Sequence, residues 1–263
     1  MVIRVGVVGA AGRMGATVCQ AVAQTSDLEL AAVVDPVRAG DTLAAHAGPG
    51  VPELVVASEL SALTDAGVDV VVDFTVLSAA RSTALWCAEN GIHDVIGTSG
   101  FSDSILDELR AAFDRSSCLV APNFAIGAVL MTRFAEMAAP FFETAEIIEL
   151  HHDGKLDAPS GTAAHTASRM AAASPQWASD PTTHLTLDGA RGAAGPAGIR
   201  IHSVRLRGIV AHQEVLLGTT GQTLTIRHDS YDRWSFMPGV LLAVREIHKH
   251  RGLTLGLDAV MGL

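Results

Sequence analysis

The first 120 or so residues alternate between short runs rich in β-branched residues and alanine-rich stretches with helical spacing. The runs are Ile3–Val8, Leu30–Asp35, Val68–Phe74, Asp94–Gly97 and Leu119–Ala121, and the helical stretches are Met14–Gln24, Ala79–Asn90 and Ser104–Arg115. Strict alternation of strand and helix is typical of a parallel sheet covered by helices. The run Val70–Val72 is continuously apolar, as a strand buried on both faces requires. The pattern predicts an α/β domain with a Rossmann-type, doubly wound parallel sheet.

The pattern changes after Asn123. A predicted strand at Glu146–Leu150 precedes an alanine-rich helix at Gly161–Ala173, for which Ser160 is a favourable N-cap. Residues 174–198 are rich in Ala, Gly and Pro and predict a long loop. Three further strand-like runs are joined by short segments, which antiparallel pairing permits: Ile201–Leu206, Glu214–Gly218 and Thr223–His228. We therefore expect a second, smaller α+β domain with a mixed, mainly antiparallel sheet.

A last helix is predicted at Val240–His250, and its apolar residues form a stripe that can cover a sheet. The stripe consists of Val240, Leu241, Val244 and Ile247. A length of 263 residues suits one large or two modest domains. We expect residues 1–122 to form the first domain and residues 123–231 the second, with residues 232–263 returning to the first domain.

The charge and the cysteines restrict the class of protein. With 18 basic and 28 acidic residues the net charge is −10, which argues against nucleic acid and anionic membranes as partners. No apolar run approaches the roughly 18 residues of a spanning helix, and no signal-peptide pattern is present. Cys19, Cys87 and Cys118 lack metal-type spacing and read as buried thiols in a reducing compartment. We expect a cytoplasmic protein without a metal.

A glycine-rich turn joins the first strand to the first helix. Its residues are Gly9, Ala10, Ala11, Gly12, Arg13, Met14 and Gly15. Glycines so placed allow a tight turn, close approach of the backbone to a pyrophosphate, and packing of the helix on the strand. Asp35 lies 20 residues after Gly15 (35 − 15), where an acid can hold the ribose hydroxyls. We interpret this turn and Asp35 as a dinucleotide site; the alternative is a tight βα turn without a ligand.

Two later strands also end in small and polar residues. These are Gly97, Thr98 and Ser99 after one strand, and Ala121, Pro122, Asn123 and Phe124 after the next. Ligands of doubly wound sheets bind beyond the carboxyl ends of the strands. Both segments therefore fit contact with the nicotinamide half of the dinucleotide, although either alone could be an ordinary loop.

The segment from Glu149 to Thr162 holds the densest chemistry. One of the adjacent residues His151 and His152 can donate a proton near neutral pH, and Lys155 adds a fixed positive charge. The amides of Gly161 and Thr162 at a helix start suit a carboxylate. The alternative is a histidine that only makes hydrogen bonds in the core and a solvated lysine. A zinc site is less favoured because a third and a fourth ligand are not evident.

Taken together, these motifs resemble the dihydrodipicolinate reductase family, and the resemblance spans essentially the whole chain. The matching segments are Gly9–Gly15, Gly97–Thr98, Ala121–Phe124, Glu149–Ala163, Val204–Glu214 and Phe236–Arg245. The resemblance implies NAD(P)H-dependent reduction of a cyclic imine dicarboxylate, 4-hydroxy-tetrahydrodipicolinate, to tetrahydrodipicolinate in lysine and diaminopimelate biosynthesis. It also implies a homotetramer that assembles through the C-terminal domain sheets.

The resemblance assigns roles residue by residue. His151 resembles the proton donor and Lys155 the second catalytic donor, while His152, Gly161 and Thr162 resemble the contacts to the substrate carboxylates. Gly9–Met14, Asp35 and the two later strand ends already named resemble the cofactor contacts. Pro36 follows the ribose acid where some members have a basic residue, so we expect NADH to serve at least as well as NADPH.

Two alternatives stay open. One is another amino- or imino-acid dehydrogenase of the same architecture, against which the His151–Lys155 segment argues. The other is a sensor that binds NAD(H) without turnover, because a Rossmann fold alone does not imply catalysis. A sensor has no need of a proton donor, a cation and an anion-binding helix start in one segment.

Overall fold

The computed structural model describes residues 2–263. The chain forms two compact units. One unit combines the residues up to Ala125 with Arg233–Leu263, and the other consists of Ile126–Asp232. Within the described residues, no helix has the length and apolar character needed to cross a membrane.

The first unit is built on parallel strands connected by helices. In chain order its elements up to residue 125 are β1 (Ile3–Val8), α1 (Arg13–Ala23), β2 (Leu28–Val34), α2 (Ala44–Ala47), α3 (Ser61–Asp65), β3 (Val70–Asp73), α4 (Leu77–Asn90), β4 (His93–Ile96), α5 (Asp103–Ala112) and β5 (Ser117–Val120). The five strands pair in parallel in the order β5-β4-β3-β1-β2. The predicted Rossmann-type sheet is confirmed.

The second unit has a mixed sheet. Its elements are α6 (Ile126–Ala138), β6 (Thr144–His151), α7 (Gly161–Ala173), β7 (Ala193–Ala194), β8 (Arg200–Arg205), β9 (Ala211–Thr219) and β10 (Gln222–Ser230). The order is β10-β9-β6-β8-β7, and only the β6–β8 pair is parallel. The predicted mixed, mainly antiparallel sheet is confirmed, and α7 has the predicted bounds with Ser160 as its N-cap. Helix α6 is not predicted by the sequence pattern.

Helices α6 and α7 pack on the same face of the second sheet. Ile147, Val215 and Leu217 point to that face and are buried against Met131 of α6 and Met170 of α7. Side chains alternate between the two faces along a strand. Glu149 and His151 therefore share the helix-covered face with Ile147, whereas the neighbours of each on β6 point to the other face.

The chain returns to the first unit in its last thirty or so residues. These form α8 (Met237–Glu246), β11 (Gly252–Leu255) and α9 (Leu257–Met261). Strand β11 pairs in parallel with β5 and becomes the sixth strand of the first sheet, which the sequence analysis does not anticipate. Val240 and Val244 of α8 are fully buried, and Arg245 forms an ion pair with Asp27 at 2.8 Å.

Candidate active site

The glycine-rich turn has a backbone that only glycine accommodates. Gly9 has φ +76°, and its amide donates to the carbonyl of Val34 over 2.8 Å. A Cβ at Gly15 would lie 2.0 Å from the carbonyl oxygen of Gly9, and one at Gly12 would lie 3.2 Å from the same oxygen. The turn therefore folds back on itself so tightly that helix α1 begins directly against the end of β1.

The start of α1 is open to an anion. Gly12 is the N-cap, and no side chain caps the helix. Uncapped amides and the positive end of the helix dipole together attract phosphate groups. Asp35 adjoins the turn, because its carboxylate accepts a hydrogen bond from the amide of Ala11 at 3.2 Å. It also accepts a hydrogen bond from the amide of Val37 at 3.1 Å. This cradle fits the diphosphate and ribose of a dinucleotide.

The ends of β4 and β5 surround an aromatic pair. A Cβ at Gly97 would lie 2.0 Å from the ring of Phe74, so this glycine leaves room for the ring. The Phe74 and Phe124 rings lie 5.7 Å apart between centroids. The Thr98 hydroxyl donates to the carbonyl of Thr75 over 2.8 Å and connects the ends of β4 and β3.

The sequence-predicted cofactor residues lie at one edge of the first sheet. They follow the carboxyl ends of β1, β2, β4 and β5, which are parallel. Ala121 and Phe124 are buried, Ser99 and Pro122 are exposed, and the Asn123 side chain accepts the amide of Ala125. Sequence reasoning missed Phe74 and Thr75, which follow β3 at the same edge. Their position at the carboxyl end of the predicted strand Val68–Phe74 could have revealed them.

In the second unit Glu149 is the centre of a hydrogen-bond network. Its side chain is fully buried, and one carboxylate oxygen accepts Nδ1 of His151 at 2.5 Å. The other oxygen accepts the backbone amide of Ser160, the N-cap of α7, at 3.1 Å. Glu149 and His151 are two residues apart on β6 and so point to the same face.

Arg205 on the neighbouring strand completes this network. Its two terminal nitrogens donate to the two oxygens of Glu149, each over 2.8 Å. Burial alone would raise the pKa of Glu149, but hydrogen bonds from Arg205, Ser203 and His151 outweigh it and lower the pKa to about 2. Glu149 is therefore a carboxylate at neutral pH and can only accept hydrogen bonds. Sequence reasoning missed both Glu149 and Arg205 as site residues.

His151 is the last residue of β6, and its side chain is 16% exposed. Because Glu149 can only accept, Nδ1 of His151 carries a proton and Nε2 is left for exchange. Burial lowers the pKa of His151 from its usual value, opposed by Glu149 and assisted by Lys155 and Arg205. A histidine so placed can lose its proton readily.

The other predicted residues of this segment surround the end of β6. His152 is exposed, and its backbone amide donates to the carbonyl of Val210 over 3.2 Å. Lys155 is half-buried and forms an ion pair with Asp157 at 2.8 Å. At the start of α7, a Cβ on Gly161 would meet no atom within 4 Å, so the space beside its backbone is open. Thr162 follows in the first turn of the same helix.

Within residues 2–263, no group of three or more His, Cys, Asp or Glu side chains is arranged to hold a metal ion. The polar groups beside His151 are instead paired with one another through Glu149, Arg205 and Asp157. The candidate chemistry of this segment is therefore proton donation and anion binding.

The parallel sheet, the glycine-rich turn and Asp35 define a Rossmann-class α/β protein with a dinucleotide-type cradle. Two family models match the chain. The model for the N-terminus of dihydrodipicolinate reductase matches residues 3–124, and the model for its C-terminus matches residues 127–261. The chain belongs to the dihydrodipicolinate reductase family.

Similar proteins support this assignment over the full length. A 4-hydroxy-tetrahydrodipicolinate reductase of Nocardia farcinica is 52% identical over 269 residues, covering 100% of both chains. A protein of the same name from Mycobacterium sp. strain KMS is 50% identical and covers 99% of this chain and 100% of its own. The solved dipicolinate-bound dihydrodipicolinate reductase of Paenisporosarcina sp. TG-14 is 43% identical with a TM-score of 0.88, covering 98% of this chain and 99% of its own.

The fold alone is shared more widely. An amine dehydrogenase of Mycobacterium smegmatis has a TM-score of 0.67 at 12% identity, covering 97% of this chain and 95% of its own. At this identity the likeness concerns the fold and says nothing of the reaction.

Proposed function

We propose that this chain reduces 4-hydroxy-tetrahydrodipicolinate to tetrahydrodipicolinate with NADH or NADPH, in lysine and diaminopimelate biosynthesis. The carrying observation is the full-length similarity to reductases of this name, at 52% identity in the first of them. The solved relative that binds dipicolinate supports a cyclic dicarboxylate as the ligand. A cytoplasmic location belongs to this proposal, because Cys19, Cys87 and Cys118 are free thiols, as in a reducing compartment.

The proposal divides the work between parts of the chain. Residues 1–122 with 232–263 hold the dinucleotide, and residues 123–231 hold the substrate. The uncapped start of α1 receives the diphosphate, and Asp35 receives the adenosine ribose. Gly97–Ser99 and Ala121–Phe124, the last of which extends just past the boundary at residue 122, receive the nicotinamide half. When bound, the reduced nicotinamide supplies the hydride that adds to the ring carbon of the conjugated imine.

The proton comes from the second unit. We assign to His151 the donation of its Nε2 proton to the enamine-like product, while Glu149 holds the ring through Nδ1. Lys155 leaves Asp157 to stabilise the developing charge and the nearby carboxylate. His152 and the backbone amides of Gly161 and Thr162 hold the substrate carboxylates, since the positive end of the α7 helix dipole lies at this helix start. Loss of water from the hydroxylated substrate gives the conjugated imine, and addition of one hydride and one proton to this imine gives tetrahydrodipicolinate.

For the cofactor, we propose that NADH serves at least as well as NADPH. Asp35 can accept two ribose hydroxyls but would repel a 2′-phosphate. Arg13 and Arg38 are exposed near this acid and soften the repulsion, so dual use is expected. Titration of both cofactors tests this. A preference for NADPH of tenfold, about 1.4 kcal/mol, would contradict it.

A homotetramer assembled through the second sheet is also part of the proposal. The sheet face opposite α6 and α7 carries half-buried apolar side chains on its central strands. These are Ile148, Leu150, Val204 and Leu216. An apolar strip of this kind, rimmed by charged side chains such as Glu214 and Arg227, is typical of an interface between subunits.

A substrate panel tests the proposed activity. The substrate is generated from pyruvate and aspartate semialdehyde with the preceding synthase, and NADH oxidation is followed in its presence and absence. The proposal expects oxidation only with this substrate and not with the keto acids and ammonia that an amino-acid dehydrogenase uses. Turnover of the keto acids and ammonia instead would favour an amino- or imino-acid dehydrogenase. NADH binding without turnover of any substrate would favour an NAD(H)-binding sensor.

A further inference from the structure

The Glu149 carboxylate is surrounded by donors from three elements. Its own strand supplies His151, strand β8 supplies Arg205, and the start of α7 supplies the Ser160 amide. The carboxylate is fully buried, so it is unavailable to solvent and to substrate. Its negative charge thus acts only within this network.

Building on the proposed function, we propose that Glu149 and Arg205 act as a pair of positioning residues for His151. The carboxylate fixes the ring and keeps a proton on Nδ1, so that Nε2 is the nitrogen that exchanges a proton with the substrate. Arg205 balances the carboxylate charge, so that the ring is held without being made a poor acid.

The geometry separates these two effects. A buried carboxylate in hydrogen-bond contact with imidazole favours the charged imidazolium and opposes proton release. Arg205 donates hydrogen bonds to both carboxylate oxygens of Glu149, and its guanidinium stays protonated at every relevant pH. Its positive charge therefore offsets the preference of the carboxylate for the imidazolium form of His151. The orientation of the ring is then preserved while much of the electrostatic attraction is cancelled.

Three charged groups act on the pKa of His151. Lys155 acts on it from the following loop, in addition to Glu149 and Arg205. On β9 the residue paired with His151 is Ala211, which carries no charge. From α7, the N-cap Ser160 donates its backbone amide to Glu149. His152, the next residue along the chain, lies beyond the end of β6 and is exposed.

Substitutions of Glu149 and of Arg205 should shift the pH dependence of kcat/KM in opposite directions. A general acid acts only while protonated, so kcat/KM falls as the pH rises through its pKa. Glu149→Gln removes the charge that favours imidazolium and should move this falling limb about one pH unit lower. Arg205→Met removes a cation that favours neutral imidazole and should move the limb to higher pH, and the double variant should return it towards the wild-type position.

The experiment measures kcat/KM against pH for these variants and for control variants of a second ion pair, whose glutamate also lies on β6. Glu146 pairs with Arg191 at the other end of β6, so Glu146→Gln and Arg191→Met should leave the limb where it is. A limb that stays fixed in both Glu149→Gln and Arg205→Met, with activity reduced equally at every pH, would overturn the inference in favour of a merely structural pair. If a single variant does not fold, the remaining single variant and the nitrogen-15 measurement on the wild-type protein carry the test.

A measurement on the wild-type protein complements the variants. Nitrogen-15 NMR of labelled imidazoles, assigned with His151→Ala, should show the neutral ring of His151 protonated at Nδ1. A proton on Nε2 instead would overturn the inference. Failure of the proposed function is distinguishable from failure of this inference. If the proposed function is wrong, the wild-type protein reduces no 4-hydroxy-tetrahydrodipicolinate, whichever nitrogen of His151 carries the proton.

Discussion

At the scale of single residues, neighbours decide what a side chain can do. His151 and His152 are adjacent and chemically identical, yet one is held by a buried carboxylate and the other is exposed. A held ring with one free nitrogen suits proton transfer, whereas an exposed ring suits a movable contact to an anion. The same reasoning applies to Lys155, whose partner Asp157 is exposed and can be exchanged for a substrate carboxylate.

Two substitutions test this difference. Lys155→Ala should lower kcat and raise KM together, because the role that we propose for its charge is to stabilise both the bound carboxylate and the transition state. His152→Ala should act mainly on KM, since its assigned role is to bind a carboxylate. Steady-state kinetics with saturating NADH measure both. An effect of His152→Ala on kcat alone would contradict the assigned roles.

The sequence reveals some of these residues and conceals others. The segment from His151 to Thr162 is continuous, so its histidines, lysine and helix start could be predicted from local spacing. Arg205 is 56 positions away from Glu149, and the two meet only because β8 pairs with β6 in the register that puts Arg205 opposite His151. No local pattern contains that register, so the ion pair could not be predicted.

At the scale of elements, strand β4 contains an anomaly. Asp94 lies fully buried in a strand otherwise apolar at Val95 and Ile96, and neither carboxyl oxygen has a partner of normal hydrogen-bond geometry within residues 2–263. Burial, followed by the nearby Asp73, raises the pKa of Asp94 well above its usual value. A buried polar group without a partner destabilises a protein by about 1–3 kcal/mol.

We expect Asp94→Val to stabilise the protein. Because the pKa of Asp94 is higher in the folded than in the unfolded state, the wild-type protein loses stability as the pH rises from the unfolded-state pKa towards the folded-state pKa. The gain should therefore grow from pH 4 upwards, with about 2–4 °C in Tm for each kcal/mol in a domain of this size. Thermal melts of the wild-type and variant proteins at several pH values measure it.

Asp73→Val is the matched control, because Asp73 is also buried but one of its two carboxylate oxygens accepts hydrogen bonds from the amide and the hydroxyl of Thr75 at 2.7 and 2.6 Å. It should destabilise the protein. A variant Asp94→Val that melts below the wild type throughout would show that Asp94 has a partner after all.

The turn between β1 and α1 allows a second test at this scale. Gly15→Ala should weaken NADH binding by tenfold or more, about 1.4 kcal/mol, because its Cβ would press on the carbonyl of Gly9. Gly6→Ala is the control, since its Cβ would meet Leu63 at 2.4 Å, away from the turn. It should lower Tm and leave NADH affinity unchanged. Equal loss of affinity in both variants would mean that general destabilisation explains the effect.

Sequence patterns missed helix α6 and strand β11 for two different physical reasons. Helix α6 is apolar along much of its length and follows a loop-like segment at Pro122, so its spacing gives no clear amphipathic stripe. Strand β11 has four residues and needs the edge of β5 to exist. The alternating core of the first sheet could be predicted because each strand and helix carries its own periodic signal.

At the scale of the whole molecule, the proposed tetramer rests on the sheet face opposite α6 and α7, which carries half-buried apolar side chains. We expect the protein to have a solution mass about four times the 27.3 kDa of one chain. Ile148→Lys places a charge in the middle of this face and should yield smaller species. Leu224→Lys is the control, because Leu224 is exposed on the face that α6 and α7 cover. Light scattering after gel filtration measures both, and a wild-type monomer would contradict the proposed tetramer.

The most direct test of the account compares His151→Ala with the wild type in the reduction of 4-hydroxy-tetrahydrodipicolinate. Loss of a positioned general acid costs about 10²–10⁴-fold in rate. We predict that kcat falls by this amount while the Kd for NADH stays nearly unchanged, since His151 lies in the second unit and the dinucleotide cradle in the first. Near-normal kcat across pH 6–8 in the variant would contradict the account and leave His151 a structural histidine.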